Sequence, residues 1–172
     1  DIEENYHLLK EKVYKNIPNL KSHLQKCIRK QNDSLSVQTC YHLFKMDVNE
    51  LLRRIPIIML EDVFLHNSFT TLIWIMIAHS TKKFKIKLYI YEWILGVVYA
   101  LCQINVKDEI KENDEFIKNN NISESLNNYN DLKQVECSLL YCIHIRNAYG
   151  GMECDNIMLD KYSKIWEKRF RD

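Results

Sequence analysis

Proline and glycine together occupy five of 172 positions, Pro18, Pro56, Gly96, Gly150 and Gly151, so the backbone is almost nowhere forced out of helical geometry. Between these points apolar residues recur at helical spacing, and no strand alternation lasts more than a few residues. The fold class that follows is all-α, a single-domain bundle of about eight helices. A chain of this length hides roughly two thirds of its unfolded surface, so neither disulfides nor a metal is needed for folding.

Tyr6, Leu9, Val13 and Ile17 form one apolar stripe that stops at Pro18, and Leu20, Leu24, Cys27 and Ile28 form the next, which reads as a helical hairpin. Its other faces carry Lys10, Lys12, Lys15, Lys21, Lys26, Arg29 and Lys30, read as a solvated surface or as a phosphate-tracking one. Asn32 to Ser34 supply turn and cap residues for a third helix. Asp47 with Glu50 three residues on matches a capping box, and Pro56 inside the helix that follows is expected to kink or break it. Ser68 is the expected cap of a helix whose Leu72 to Ala78 run, apolar on nearly every side, belongs in the middle of a bundle. Ile86 to Val106 approaches the length of a membrane span, but Lys87, Glu92 and Gln103 punctuate it and favour a central core helix. Residues 107–130 are polar and Asn-rich and read as a flexible insertion. Val135, Leu139, Leu140, Ile143 and Ala148 then build a helix that stops at Gly150-Gly151, and a last helix follows Asp155.

The net charge of +1 hides an uneven distribution: Thr81 to Lys107 holds five Lys against one Glu, and Asp108 to Glu136 holds eight acidic residues against three Lys. Six cysteines, inside or beside apolar patterns, fit a reducing, intracellular compartment, with nucleus and cytoplasm not distinguished. The start at Asp1, without Met, fits an excerpt of a longer protein.

The residues that most invite a chemical reading are Glu61 and Asp62, set between two strongly apolar runs. Carboxylates in such surroundings need partners, and those at hand are Arg53 and Arg54 or the free N–H groups of the next helix. A structural network of Arg53, Arg54, Glu61 and Asp62 is the first expectation; an acid/base pair is the second, although adjacent helical residues point about 100° apart. Lys82, Lys83, Lys85 and Lys87, interleaved with Phe84 and Tyr89, form the densest basic cluster and a candidate nucleic-acid contact. P-loop and dinucleotide glycine patterns are absent from the sequence. Cys40 with His42, and Cys137, Cys142, His144 and Cys154, lack the CxxC or HxxxH spacing of a zinc site, and no residue marks an oxyanion hole for a Cys–His nucleophile. No metal, cofactor or catalytic residue is therefore assigned. Tyr149-Gly150-Gly151-Met152 reads as a helix stop or as a backbone contact for a partner.

Residues 24–65 contain CIRKQNDSLSVQTCYHLFKM and then LLRRIPIIMLEDVFL. This order resembles the helical C-terminal region of the RarA and MgsA group of replication-associated AAA+ ATPases, relatives of clamp loaders. The pattern places Ile28 and Arg29 at a helix end and Arg53, Arg54, Glu61, Asp62 and Val63 around an apolar six. Pro56 within the six and Phe64 after it depart from the family. The resemblance implies oligomerisation and partner contact in DNA replication or repair, the family's ATP chemistry lying in a separate domain.

The expected function is a non-catalytic helical scaffold or oligomerisation module in a nucleic-acid maintenance assembly, with a protein partner or self-association and no membrane insertion. Direct DNA or RNA binding through the lysine cluster is the first alternative, and a helical enzyme using Glu61 and Asp62 the second.

Overall fold

The computed structural model describes residues 16–108 and 129–172. Among them seven helices and no strand are found: α1 Ile17–Arg29, α2 Asp33–Met46, α3 Val48–Asp62, α4 Ser68–Lys82, α5 Leu88–Gln103, α6 Gln134–Ala148 and α7 Glu153–Arg171. The all-helical expectation holds. Tyr6, Leu9 and Val13 of the first expected stripe and nearly all of the expected insertion lie outside the described residues, whereas Ile17 and Pro18, expected to end that first helix, open α1 instead. The chain divides into two compact units, residues 1–108 and 109–172.

In the first unit local capping sets the helix starts. Asn16 accepts the Asn19 N–H at 2.8 Å, with Pro18 in the first turn of α1, where its missing N–H costs nothing. Asn32 accepts the Leu35 N–H at 3.1 Å, and Asp47 accepts the Glu50 N–H at 3.0 Å. Asp47 also closes α2, its own N–H going to the Leu43 carbonyl at 2.8 Å.

Helix α3 is the centre of this unit and packs on α1, α2 and α4. Leu51, Leu52, Ile55, Ile57, Ile58 and Met59 are all fully buried. Pro56 does not break the helix as expected: α3 runs unbroken through it, with the proline ring buried. One backbone hydrogen bond is forgone, and burial on every side of the helix outweighs it.

The two most apolar segments are not central. Helix α4 packs chiefly on α3 and exposes Trp74 by 64%. Helix α5 packs on α2 and α1, burying Ile94, Val98 and Leu101 while leaving Leu88, Tyr89 and Tyr99 in solvent. Hydrophobicity marked both as core, but α3 already holds the central place. Residues 104–108 then run back across the unit: Gln31 Nε2 donates to the Ile104 carbonyl at 2.9 Å, and the Asp108 N–H to the Val63 carbonyl at 2.8 Å. Among the described residues no helix is long and apolar enough to cross a membrane.

The second unit is a hairpin of α6 on α7. Helix α6 ends as its glycines indicated. Gly150, at φ +75°, donates its N–H to the Asn147 carbonyl at 3.0 Å, and Gly151 lies at φ +148° where a Cβ would approach Asp155. The guanidinium of Arg146, 2% exposed, fixes the turn by donating to the Gly150 carbonyl at 2.8 Å. Helix α7 starts at Glu153, three residues earlier than a helix following Asp155, and Val135, expected inside, is 62% exposed. Tyr129, at the end of the expected insertion, is buried to 1% and shares a 2.8 Å hydrogen bond between its hydroxyl and His144 Nε2, the rings stacked 6.2 Å apart.

Candidate functional site

The acidic doublet sits in the last turn of α3, where the helix macrodipole is negative and two carboxylates are unfavourable. Asp62 is almost wholly enclosed, its side chain 2% exposed. The guanidinium that holds it is Arg29, at the end of α1: Nε donates to Oδ1 at 2.7 Å and Nη2 to Oδ2 at 3.2 Å, a two-pronged pairing. The same contact raises the pKa of Arg29, its hydrogen bond to Asp62 outweighing burial. Gln25, one helical turn before Arg29, donates from Nε2 to Asp62 Oδ2 at 2.8 Å and to Glu61 Oε2 at 2.6 Å. Its Oε1 accepts from Arg54 Nη2. Both amide hydrogens and the carbonyl of Gln25 are thus engaged. Lys107 Nζ lies 3.8 Å from Asp62 Oδ1.

The structure therefore brings three of the four expected network residues together, with Gln25 as the link between Arg54 and the two carboxylates. Arg53 pairs with Glu50 at 3.6 Å, and Glu50 with Lys21 at 2.5 Å, a second brace near the start of α3. The main partner of Asp62 is neither Arg53 nor Arg54 but Arg29, and the N–H at the start of α4 is taken by another group. His66 Nδ1 accepts from the Ser68 N–H at 3.1 Å and meets Ser68 Oγ at 2.8 Å, so His66 caps α4 where Ser68 was expected to. Arg29, Gln25, Lys107 and His66 were missed as site residues. Local sequence hints only at Gln25 and Arg29, which share a helix face at i, i+4 beside an apolar stripe.

With its carboxylate oxygens engaged by guanidinium, amide and ammonium donors, Asp62 has the arrangement of a structural brace. Acid/base chemistry would need a lone pair open to substrate.

Lys82 ends α4, and Lys83, Lys85 and Lys87 lie on the turn that leads to α5, all four exposed. The turn is built rather than loose. Lys83 takes a left-handed conformation, φ 53°, its N–H and that of Phe84 both reach the Ala78 carbonyl, and His79 Nδ1 donates to the Phe84 carbonyl at 2.8 Å. No acidic residue occurs from Thr81 to Tyr91, and none of the four lysines forms an ion pair among the described residues. Phe84 and Tyr89 stand beside them, 38% and 63% exposed.

A groove of about 280 Å3 lies between α5 and the start of α4, lined by Trp93, Gly96, Val97, Ala100, Leu101 and Ile104 together with His66 and Ser68. Leu88, Tyr89, Glu92 and Tyr99 are exposed on α5 outside this groove.

The cysteine and histidine candidates do not converge. Among the described residues no group of three or more His, Cys, Asp or Glu side chains has a metal-holding arrangement. Cys40 is buried, and desolvation pushes its thiol up to about 12. Cys27 Sγ lies 3.6 Å from His23, yet burial, with a contribution from Cys102, pushes its pKa up to about 11 and keeps it a thiol. His23 Nδ1 lies 2.8 Å from Thr39 Oγ1, whose hydroxyl donates to the Leu35 carbonyl at 2.6 Å; the imidazole is the donor, and desolvation lowers its pKa.

Comparison with protein-family models, curated proteins and solved structures found no match.

Proposed function

We propose that this chain is a non-catalytic helical scaffold and oligomerisation module of an assembly that maintains nucleic acid. The observation that carries the reading is the half-covered state of α5. A helix with only Glu92 and Gln103 as polar residues normally lies within a core, and here a whole side of it faces solvent. The Arg29–Asp62–Gln25–Glu61–Arg54 brace supports it, since it fixes α1 against α3 and spends the carboxylates that an enzyme would need. The resemblance of residues 24–65 to the RarA and MgsA group supports the nucleic-acid setting. The test is Leu88→Asp with Tyr89→Asp, both at solvent-facing positions. The folded double variant is expected to lose association with itself or with any protein recovered from native extract by the parent chain. Association unchanged by the double variant refutes the reading.

A second reading, direct binding of DNA or RNA, is favoured by four unneutralised lysines on an ordered turn beside two exposed aromatic rings. Its test is single-strand affinity across a salt series with all four lysines changed to Gln. An unaltered affinity and salt slope would dismiss it.

A further inference from the structure

From Val63 to Tyr91 the chain contains no Asp or Glu, so the whole of α4, the turn after it and the start of α5 lack a negative side chain. At about 100° per residue, Thr71, Trp74, Ala78, Thr81 and Lys82 fall within an arc of about 100° on α4. Trp74, 64% exposed, thus stands on the same side of the helix as the first of the four lysines, about 12 Å along the axis from it. The turn folds back toward Trp74: the Phe84 N–H donates at 3.1 Å to the carbonyl of Ala78, one helical turn past the indole. Exposed rings and unneutralised cations therefore occur together from the middle of α4 to the first turn of α5.

Resting on the second reading above, we infer that the ligand of this surface is an unpaired polynucleotide strand, with its phosphates on Lys82, Lys83, Lys85 and Lys87 and a base stacked on Trp74. The cations call for a polyanion, because none of the four forms an ion pair among the described residues. The rings narrow the choice. In a duplex the bases stack on one another and leave exposed rings without partners, and an acidic peptide offers no regular series of planar faces. An unpaired strand carries a phosphate and an open base face at each nucleotide, which matches cations interleaved with rings. An anionic lipid surface that took up Leu88 and Tyr89 would also have to take up Glu92, which falls between them in angle one turn later on α5.

The same residues set the course of the strand. On α5 the exposed Glu92 repels phosphate, so the strand leaves that helix within its first turn. On α4 the ground between Lys82 and Trp74 is neutral, and Thr81 and Ser80 turn their hydroxyls back to the Ile77 and Met76 carbonyls at 2.6 and 2.7 Å. The course therefore runs from the lysine turn along the outer side of α4 to the indole. Stacking on Trp74 does not depend on salt, whereas the phosphate contacts weaken as salt rises, so the two contributions separate in one experiment.

The test measures fluorescence anisotropy of labelled oligothymidylate, oligouridylate and a DNA duplex, each of about twelve nucleotides per strand, against the full chain over a salt series. The parent is expected to bind the single strands at least about tenfold more tightly than the duplex, with the log of the affinity falling by about 3 per tenfold rise in salt. Trp74→Ala is expected to weaken binding about tenfold at every salt concentration with the slope unchanged, and Trp74→Phe to restore most of the loss. Changing the four lysines to Gln is expected to remove most of the slope. Each variant is required to keep the helical circular-dichroism signal of the parent. The two single strands show whether the sugar matters, and binding of either one in this pattern supports the inference. A duplex bound as tightly as the strands, or a Trp74→Ala affinity equal to that of the parent, overturns the inference and leaves the second reading standing if the lysine variant still binds more weakly. Failure to bind strand or duplex, including binding to phosphatidylserine vesicles alone, overturns both.

Discussion

The end of α3 and the turn between α4 and α5 are both dense in charge, and they use it in opposite ways. At the end of α3, the enclosed Asp62 and the half-buried Glu61 meet Arg29 and Gln25 from α1, and Gln25 in turn accepts from Arg54, about two turns earlier on α3. At the α4–α5 turn four lysines face solvent with no carboxylate opposite them. A charge enclosed with its partner acts on stability, whereas a charge held open acts on whatever approaches from outside. The difference arises in the packing, since in sequence each is simply a cluster of ionisable residues.

Removing the guanidinium of the brace is the strongest way to break the comparison. Arg29→Ala leaves the enclosed Asp62 with only Gln25 and Lys107, and a loss of about 2–3 kcal/mol is expected, toward the low end for a broken buried pair because Arg29 is itself half exposed. Urea unfolding measures it; a loss below about 0.5 kcal/mol would mean that the brace is dispensable. Gln25→Leu withdraws one donor from each carboxylate and the acceptor of Arg54, with about 1–3 kcal/mol expected in the same assay. His66→Ala, which uncaps α4, is expected to cost about 1 kcal/mol. The four-lysine change to Gln at the turn should stay within about 0.5 kcal/mol of the parent while lowering any nucleic-acid salt slope.

Titration sharpens the contrast, because buried groups respond to pH through stability. Cys27 and Cys40 have folded pKa values raised from an ordinary 9.0 to about 11 and about 12. Between those limits the folded state holds protons that the unfolded chain has released. Stability from these thiols is whole below pH 9 and is expected to fall as pH rises toward 11 and 12. His23 and His144 are lowered from 6.5, chiefly by desolvation, so the unfolded chain takes up protons first and stability is expected to fall as pH drops below 6.5. Unfolding midpoints from pH 5 to 11 test both limbs, and midpoints flat from pH 7 to 11 would contradict the thiol assignment.

Much of the local structure was legible in the residues. Asn32 and Asp47 cap the helices they were expected to cap, and Gly150 stops α6, because each decision involves groups within four residues of one another. Burial of Asp62 within a polar network was also legible, since an apolar setting compels a carboxylate to find donors. Its main partner was not: Arg29 lies 33 residues away, and its place one turn after Gln25 beside an apolar stripe does not say which carboxylate it meets. Tyr129 was hidden for the same reason, in a stretch whose composition reads as loop while its ring stacks on His144, 15 residues on.

By itself the sequence determined a helical chain, several of its helix ends and the need to neutralise the acidic doublet, all consequences of backbone geometry and of solvation at single sites. Only the tertiary structure decided that α3 rather than α4 or α5 takes the centre, that Arg29 holds Asp62, and that α5 keeps an apolar side in water. Several helices here are apolar enough to be core, and which of them is enclosed depends on how all of them pack together.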